Sequence, residues 1–325
     1  MRTTFTFVVA ALALTAAPAA FADDGTRTSE LEATISPMLL DDAPVFAAPK
    51  GDASVSGVRQ WFNYAPRAAD PYDGFARPIS NLDFHHPFIW NEIRPFFMYH
   101  RFPETSVAGG GNMRIYGAQV GVQLMPELQL TFSKSGYVDF NPDGIADGEG
   151  WADVAFGLKY KVWEDLSAPA VASVGLIWEP KIGASDILHG RGSSQFDLFG
   201  SYARDLGIMN VITTLGYKLA DDADKDPEYF HWHLHADYPM CEGIRLVGEV
   251  NGYHYTSEND SAGAAGLNEE GGDYTSLLAG DVDGQDTVTA AAGFRWFATA
   301  DINMGFAWEW SVLTRDDLFD QRLTL

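Results

Sequence analysis

The chain has 325 residues, with 21 Lys and Arg against 45 Asp and Glu, and a formal net charge of −24 at pH 7. This excess of acid argues against nucleic acid as a partner, because phosphate binding needs a basic surface. The single cysteine, Cys241, excludes an intrachain disulfide and a multi-cysteine metal cluster. Its 32 glycines and 13% aromatic residues are typical of β structure with many turns.

Residues 1–22 have the features of a secretory signal peptide. Arg2 precedes an apolar run that ends in the small-x-small sequence Ala20-Phe21-Ala22. We therefore predict cleavage after Ala22 and export from the cytoplasm. A membrane anchor is the weaker interpretation, since the run is short and contains Pro18. No later stretch has the ~18 consecutive apolar residues that a membrane helix needs.

Residues 23–91 form the second region. They are rich in Ala, Pro, Asp and Ser, and their alternation of apolar and polar residues is weak. Few apolar residues are available to build an independent core. We predict an irregular N-terminal segment that lies in the periplasm or plugs the mouth of a barrel.

From Glu92 to Leu325 the sequence becomes a series of segments in which apolar and polar residues alternate. In "MRIYGAQVGVQL", for example, Tyr116, Val120 and Leu124 share one face. Period two predicts strands with one apolar and one polar face. Many of these segments reach the ~9–11 residues that a tilted strand needs to cross a bilayer. Aromatic residues stand near their ends: Tyr116, Trp163, Trp178, Trp232, Tyr238 and Trp296.

The connections between the segments alternate between long and short, as in bacterial outer-membrane barrels. The short connections include "MPE" at 125–127 and "DLG" at 205–207, and the long ones include 139–150 and 257–285. We predict an all-β fold: a transmembrane antiparallel up-and-down β-barrel of about 12 strands over residues 92–325. Its place would be the outer membrane of a Gram-negative-type bacterium, in contact with outer-membrane lipids.

The stretch "YFHWHLHADY" places three histidines and an aspartate at every second position. Imidazole suits zinc and copper, but residues two apart on a strand lie ~6–7 Å apart, too far for three to share one ion. Two could bind if a neighbouring strand supplied other ligands; otherwise the row is part of a polar lumen wall. The predicted lumen-lining residues are Lys159, Lys161, Glu179, Asp197, His231, His233, His235, Asp237, Arg245, Glu249, Asn251, Arg295 and Glu309. Asp153, Lys181 and Lys218 are expected on the same face.

"DFNPDGIADGEG" at 139–150 partly matches a calcium loop through Asp139, Asn141, Asp143 and Asp147. The match fails at the twelfth position, where Gly150 replaces a bidentate Glu. These residues are weak metal candidates, and we predict no metal and no cofactor. The sequence lacks G-x-S-x-G and H-E-x-x-H, so no catalytic residues are predicted. A lipid hydrolase would have to use His254 and Ser257.

The segments "NEIRPFF", "GWADVAFGLKY" and "LVGEVNGYHY" resemble an outer-membrane barrel family, the phenol-degradation meta-pathway transporters. The resemblance covers roughly residues 92–325. It implies a barrel that admits small, often hydrophobic or aromatic, compounds, and it implies no catalytic residues.

The expected function is therefore a channel or transporter, not an enzyme, with a small-molecule solute as its partner. The alternatives are a structural or surface-interaction barrel that does not transport, and an outer-membrane lipid hydrolase.

Overall fold

The computed structural model describes residues 70–106, 108–190, 192–258, 283–299, 301–313 and 320–325. The predicted signal peptide and residues 23–69 lie outside this part of the chain. Within it, no helix is long and apolar enough to cross a membrane. One turn of 3₁₀ helix spans Ser185–Ile187.

The described residues form fourteen β-strands in one sheet. They are β1 (Glu92–Arg101), β2 (Gly111–Met125), β3 (Leu128–Lys134), β4 (Gly136–Pro142), β5 (Gly148–Trp151), β6 (Ala155–Asp165), β7 (Ala170–Glu179), β8 (Gln195–Asp205), β9 (Asn210–Ala220), β10 (Tyr229–Cys241), β11 (Ile244–Tyr255), β12 (Asp286–Phe297), β13 (Asn303–Ser311) and β14 (Gln321–Thr324).

The sheet closes on itself, because β1 pairs antiparallel with both β2 and β14. Two wall strands are each interrupted once. β2 pairs with β3 and, beyond Ser135, with β4; the partners of these two pieces are β6 and β5. Counting each interrupted strand as one gives a closed antiparallel barrel of 12 strands, which confirms the predicted fold class. Closure leaves no open edge, as a structure in lipid requires.

Successive residues point alternately outward and into the barrel. In β8, Phe196 and Leu198 are exposed whereas Asp197 and Phe199 are buried. Leu158, Leu176 and Leu198 lie side by side on three adjacent strands, each about half exposed. An outer wall of exposed leucines, with charged residues inside, is the reverse of a soluble protein and suits contact with hydrocarbon.

The two ends of the barrel differ in their connections. At the short-turn end, strands are joined by residues 126–127, 166–169, 206–209, 242–243 and 298–302. At the long-loop end, the connections are 102–110, 143–147, 180–194, 221–228, 256–285 and 312–320. The predicted loop 139–150 is wrong in extent: β4 continues to Pro142 and β5 begins at Gly148, so five residues connect them.

Candidate functional site: the lumen and the segment inside it

Residues 70–91 contain no strand and lie inside the barrel; we call them the luminal arch. Every residue from Pro78 to Trp90 is buried. Because the wall is closed, this burial is against the inward-facing side chains of the strands. The arch has no neighbouring strand to pair with, so its backbone groups need other hydrogen-bond partners.

The first limb of the arch rises from the short-turn end. The Asn210 side chain donates to the Gly74 carbonyl at 3.0 Å, and the Ala76 N–H donates to Asp237 at 3.2 Å. The N–H groups of Ile79 and Ser80 each donate to a Glu249 oxygen at 2.8 Å. Two predicted lumen carboxylates, on β10 and β11, therefore bind backbone of the arch.

The second limb returns along strands β6–β9. The His85 carbonyl accepts hydrogen bonds from the hydroxyls of Ser201 and Thr214. Lys159 Nζ donates to the His86 carbonyl at 2.8 Å. Next along the arch, a hydroxyl on β7 donates to the Pro87 carbonyl at 2.5 Å. Polar side chains from β6 to β9 thus satisfy the carbonyls that the arch cannot pair by itself.

An apolar cluster fills the lumen near the short-turn end. The Phe88 and Trp90 rings stack with centroids 4.4 Å apart. Val171, Ala203 and Ile212 face them from the wall, all three fully buried. The inward face of the strands is therefore not polar throughout: it is apolar where it meets the aromatic residues of the arch.

The histidine row lies buried on the inner face of β10. His231 Nε2 is 2.9 Å from Asp197 Oδ1, and His231 Nδ1 is 3.0 Å from His233 Nε2. His233 Nδ1 in turn contacts Asn251 Oδ1 at 2.9 Å. His235 Nδ1 lies 2.8 Å from Glu249 Oε1, the same carboxylate that holds the arch.

Buried ion pairs join strands around the wall, some of them neighbours and some two positions apart. Glu179 lies between Lys134 and Lys218, at 2.5 and 3.1 Å. Glu309 Oε2 accepts hydrogen bonds from Nε and Nη2 of Arg322, at 2.9 and 2.7 Å. Arg245 contacts Asp237, and Arg295 donates to the Arg77 carbonyl of the arch at 2.9 Å.

The structure thus places all thirteen predicted lumen-lining residues on inward positions or near a strand end. Twelve are buried, and Lys161 is half-buried where its Nζ contacts Glu164 at 2.8 Å. Two further expectations were wrong. Lys181 lies exposed in the connection 180–194, and Asp153 accepts the N–H groups of Ile182 and Gly183, at 2.7 Å each, to hold that connection.

The weak metal candidates of 139–150 do not form a loop site. Asp139 lies on β4, where it contacts Arg114 at 3.2 Å and accepts a hydrogen bond from Asn141 at 2.5 Å. Asp143 and Asp147 are exposed in the short connection. Strand pairing separates the first two from the others, because β4 continues into the region that was predicted to be a loop.

The residues considered for a hydrolase also have other partners. His254 contacts Asp286 at 2.7 Å on the exposed rim, and Ser257 Oγ accepts the Glu228 N–H at 2.8 Å.

The arch residues that meet the wall charges were missed from the sequence. Asp83, His85 and His86 stand in "NLDFHHPFIW", which lacks period two. Lys218 Nζ lies 3.7 Å from Asp83, and His85 Nε2 lies 3.0 Å from Asp197. The available signal was the composition of this stretch: three titratable residues among five large apolar ones are unusual for an exposed leader.

No protein-family model matches the chain, and no curated protein sequence matches it. Among solved structures, an outer membrane channel from Pseudomonas putida F1 aligns with a TM-score of 0.52 at 15% identity, covering 79% of this chain and 97% of that one. The NanC porin aligns with a TM-score of 0.43 at 10% identity, covering 71% and 97%. OpdK of Pseudomonas aeruginosa, solved with vanillate, gives 0.33 at 10%, covering 66% and 68%. At such identities the first likeness shows the barrel fold alone, and the other two are too distant to add to it.

Proposed function

We propose that the chain is an outer-membrane channel for the uptake of small molecules by a Gram-negative-type bacterium. The observation that carries this proposal is the closed barrel with exposed leucines outside and charged side chains inside. Such a wall is stable only between lipid and a polar interior. The Pseudomonas putida structure that shares this fold is an outer membrane channel.

We further propose that residues 1–22 are a signal peptide that directs export and that residues 23–91 form a plug. The arch supports the second part, because its backbone is held by side chains from both sides of the lumen. A barrel of this strand number is intermediate in bore between filled small barrels and open porins. Solute would pass beside the arch or after part of it has moved.

The proposed solutes are small and include hydrophobic or aromatic compounds. The resemblance to phenol-degradation meta-pathway transporters supports this class. So do the stacked aromatic rings that the arch contributes to the lumen, since such rings offer planar apolar surfaces. No catalytic residues are assigned.

A barrel that does not transport is the second candidate, because the arch is buried without interruption from Pro78 to Trp90. The test is efflux from liposomes that contain the purified full-length protein. Uncharged solutes of increasing size and a series of aromatic acids are trapped inside. We expect efflux that falls with solute size. No efflux of any solute, from protein that still shows the heat-modifiable migration of a folded barrel, would leave the non-transporting candidate.

A further inference from the structure

Three buried side chains from the arch and the wall converge on one point. Asp83 and His85 of the arch and Asp197 of β8 each offer one metal-ligand atom, and these atoms lie within 4.8 Å of one another. In the part of the chain that the structure describes, no other group of three or more His, Cys, Asp or Glu residues meets this condition. His231 reaches the same carboxylate from β10, with Nε2 2.9 Å from Asp197 Oδ1.

The hydrogen bonds along the histidine row show which ring nitrogens donate and which accept. The Asn251 amide nitrogen donates to Glu309 Oε1 at 2.9 Å and to Ser80 Oγ at 3.0 Å, so its oxygen faces His233. His233 Nδ1 must then donate to that oxygen, which leaves His233 Nε2 as an acceptor. His231 Nδ1 must then donate to His233 Nε2, because two acceptor nitrogens would repel each other at 3.0 Å.

His231 lies beside Asp197, with Nε2 2.9 Å from Oδ1, and leaves the other carboxylate oxygen, Oδ2, to His85. In metal sites a ligating carboxylate is in turn held by a hydrogen-bonding neighbour. His231 occupies that place beside Asp197, and His233 orients the His231 ring.

The donor set matches a first-row divalent cation. One imidazole nitrogen and two carboxylates are ligands that zinc binds at about 2.0–2.2 Å, so ligand atoms stand ~3.3 Å apart, and water takes the fourth tetrahedral position. His85 Nε2 is 3.0 Å from Asp197 Oδ2, close to that separation, whereas His231 contacts the other oxygen, Oδ1. The two carboxylates offset the charge of the ion. Asp83 Oδ2 accepts no hydrogen bond, and Lys218, 3.7 Å from it, is also paired with Glu179.

The site is also held in place by its surroundings. The His85 ring stacks on Phe199 with centroids 4.1 Å apart, and the His85 carbonyl is fixed by hydroxyls of the wall. On β9, Gly216 lies opposite His231, and a Cβ at this position would overlap the His231 ring. Glycine therefore gives the ring room to reach Asp197.

We propose that Asp83, His85 and Asp197 form a Zn²⁺ site that fastens the luminal arch to the barrel wall. Two ligands come from the arch and one from β8, so the ion cross-links elements more than 100 positions apart in sequence. The histidine row is then not a three-histidine metal site: it contributes no ligand, and its first histidine, His231, holds the second oxygen of Asp197. Binding of the ion does not depend on the proposed channel function; only its effect on passage rests on that function.

The test measures zinc binding by the purified full-length protein. Bound metal is first removed with a chelator, Zn²⁺ alone is then added, and the metal retained per chain is counted. We expect one tightly held ion in the wild type, and Co²⁺ substitution should give the intense visible absorption of a tetrahedral site. Loss of a hydrogen-bond partner of a ligand costs 10- to 100-fold in affinity, so Asp197→Asn and His85→Gln should weaken binding by more than ~100-fold. His189→Gln is the matched control, a buried histidine outside the proposed ligand set whose Nδ1 lies 3.1 Å from Asp153 Oδ2.

Folding is checked by heat-modifiable migration for each variant. Absence of bound zinc in folded wild-type protein would overturn the proposal. Equal zinc affinity in the wild type and Asp197→Asn, or equal loss in His189→Gln, would also overturn it. Because bound metal is counted without measuring efflux, failure of the zinc site and failure of the channel proposal are separate results.

Discussion

Glu249 on β11 is the strongest single attachment of the arch, and Glu249→Gln tests it. The carboxylate is buried and accepts the N–H groups of Ile79 and Ser80, each at 2.8 Å. Glutamine keeps one oxygen and presents an NH₂ group to the other N–H. The variant therefore loses one charge-assisted hydrogen bond, worth about 1.5–3 kcal/mol, and leaves a buried donor unsatisfied, which costs about 1–3 kcal/mol more.

Together these effects weaken attachment of the arch by about 2.5–6 kcal/mol. Since 1.4 kcal/mol is a factor of ten, the detached population should rise between about 60-fold and 20,000-fold. Amide hydrogen exchange at residues 79 and 80, measured in lipid nanodiscs, should accelerate by that factor. Efflux of small solutes from liposomes should increase in parallel, because the lumen is open more often.

Glu179→Gln is the matched control, since Glu179 is equally buried but pairs with the wall lysines Lys134 and Lys218. This variant should leave exchange at residues 79 and 80 near its wild-type rate. Unchanged exchange in Glu249→Gln would refute the anchoring role. Exchange that rises equally along β1–β14 would show a general loss of barrel stability instead.

Three further outcomes follow from the structure. Gly216→Ala should lower the free energy of unfolding by about 1–3 kcal/mol, because the added methyl overlaps the His231 ring; Gly200→Ala, with nothing within 4 Å of its Cβ, is the control in urea titrations and should change little. Leu215→Arg places a charge on the exposed face in the middle of β9 and should cost about 2–4 kcal/mol in lipid vesicles, so unchanged stability there would contradict the lipid-facing assignment. Burial raises the pKa of Asp226, in the connection 221–228, to about 6. Its folded-state value lies above the unfolded value near 4, so its contribution to stability is present below pH 4 and lost as pH rises to 6, by about 3 kcal/mol. Asp226→Asn should flatten that part of a pH series of urea unfolding curves, and an unchanged series would refute the assignment.

The strands of the barrel could be predicted because their signal is local. Period two decides which face each residue occupies, and it placed the histidine row and its partner Glu249 on one inner surface. The alternation of long and short connections then fixed the strand number. Both kinds of information are contained in short stretches of sequence, and neither depends on which strands eventually pair.

The arch could not be predicted in the same way. It has no periodicity, because its backbone is satisfied by side chains of ten different strands rather than by one neighbour. Its key contacts, such as Ile79 to Glu249 and His85 to Asp197, join residues 170 and 112 positions apart. The misjudged connection at 139–150 has a related cause. Asp, Asn, Pro and Gly favour turns locally, but pairing of Tyr137 with Trp151, whose rings lie 5.6 Å apart, extends the strands.

The arch also changes the role that we assign to the charged lumen residues. A wall of 12 strands encloses more space than its own side chains fill, and residues 70–91 occupy that space. The arch backbone therefore forms hydrogen bonds with Glu249, Asp237 and Lys159 that would otherwise be made by water or solute. Substituting them should therefore alter how often the lumen opens more than which solutes it prefers. Because these pairs are buried, salt screens them weakly, and raising ionic strength should leave the closed state largely intact. A channel lined by solvated charges would instead change its conductance and ion selectivity steeply with salt.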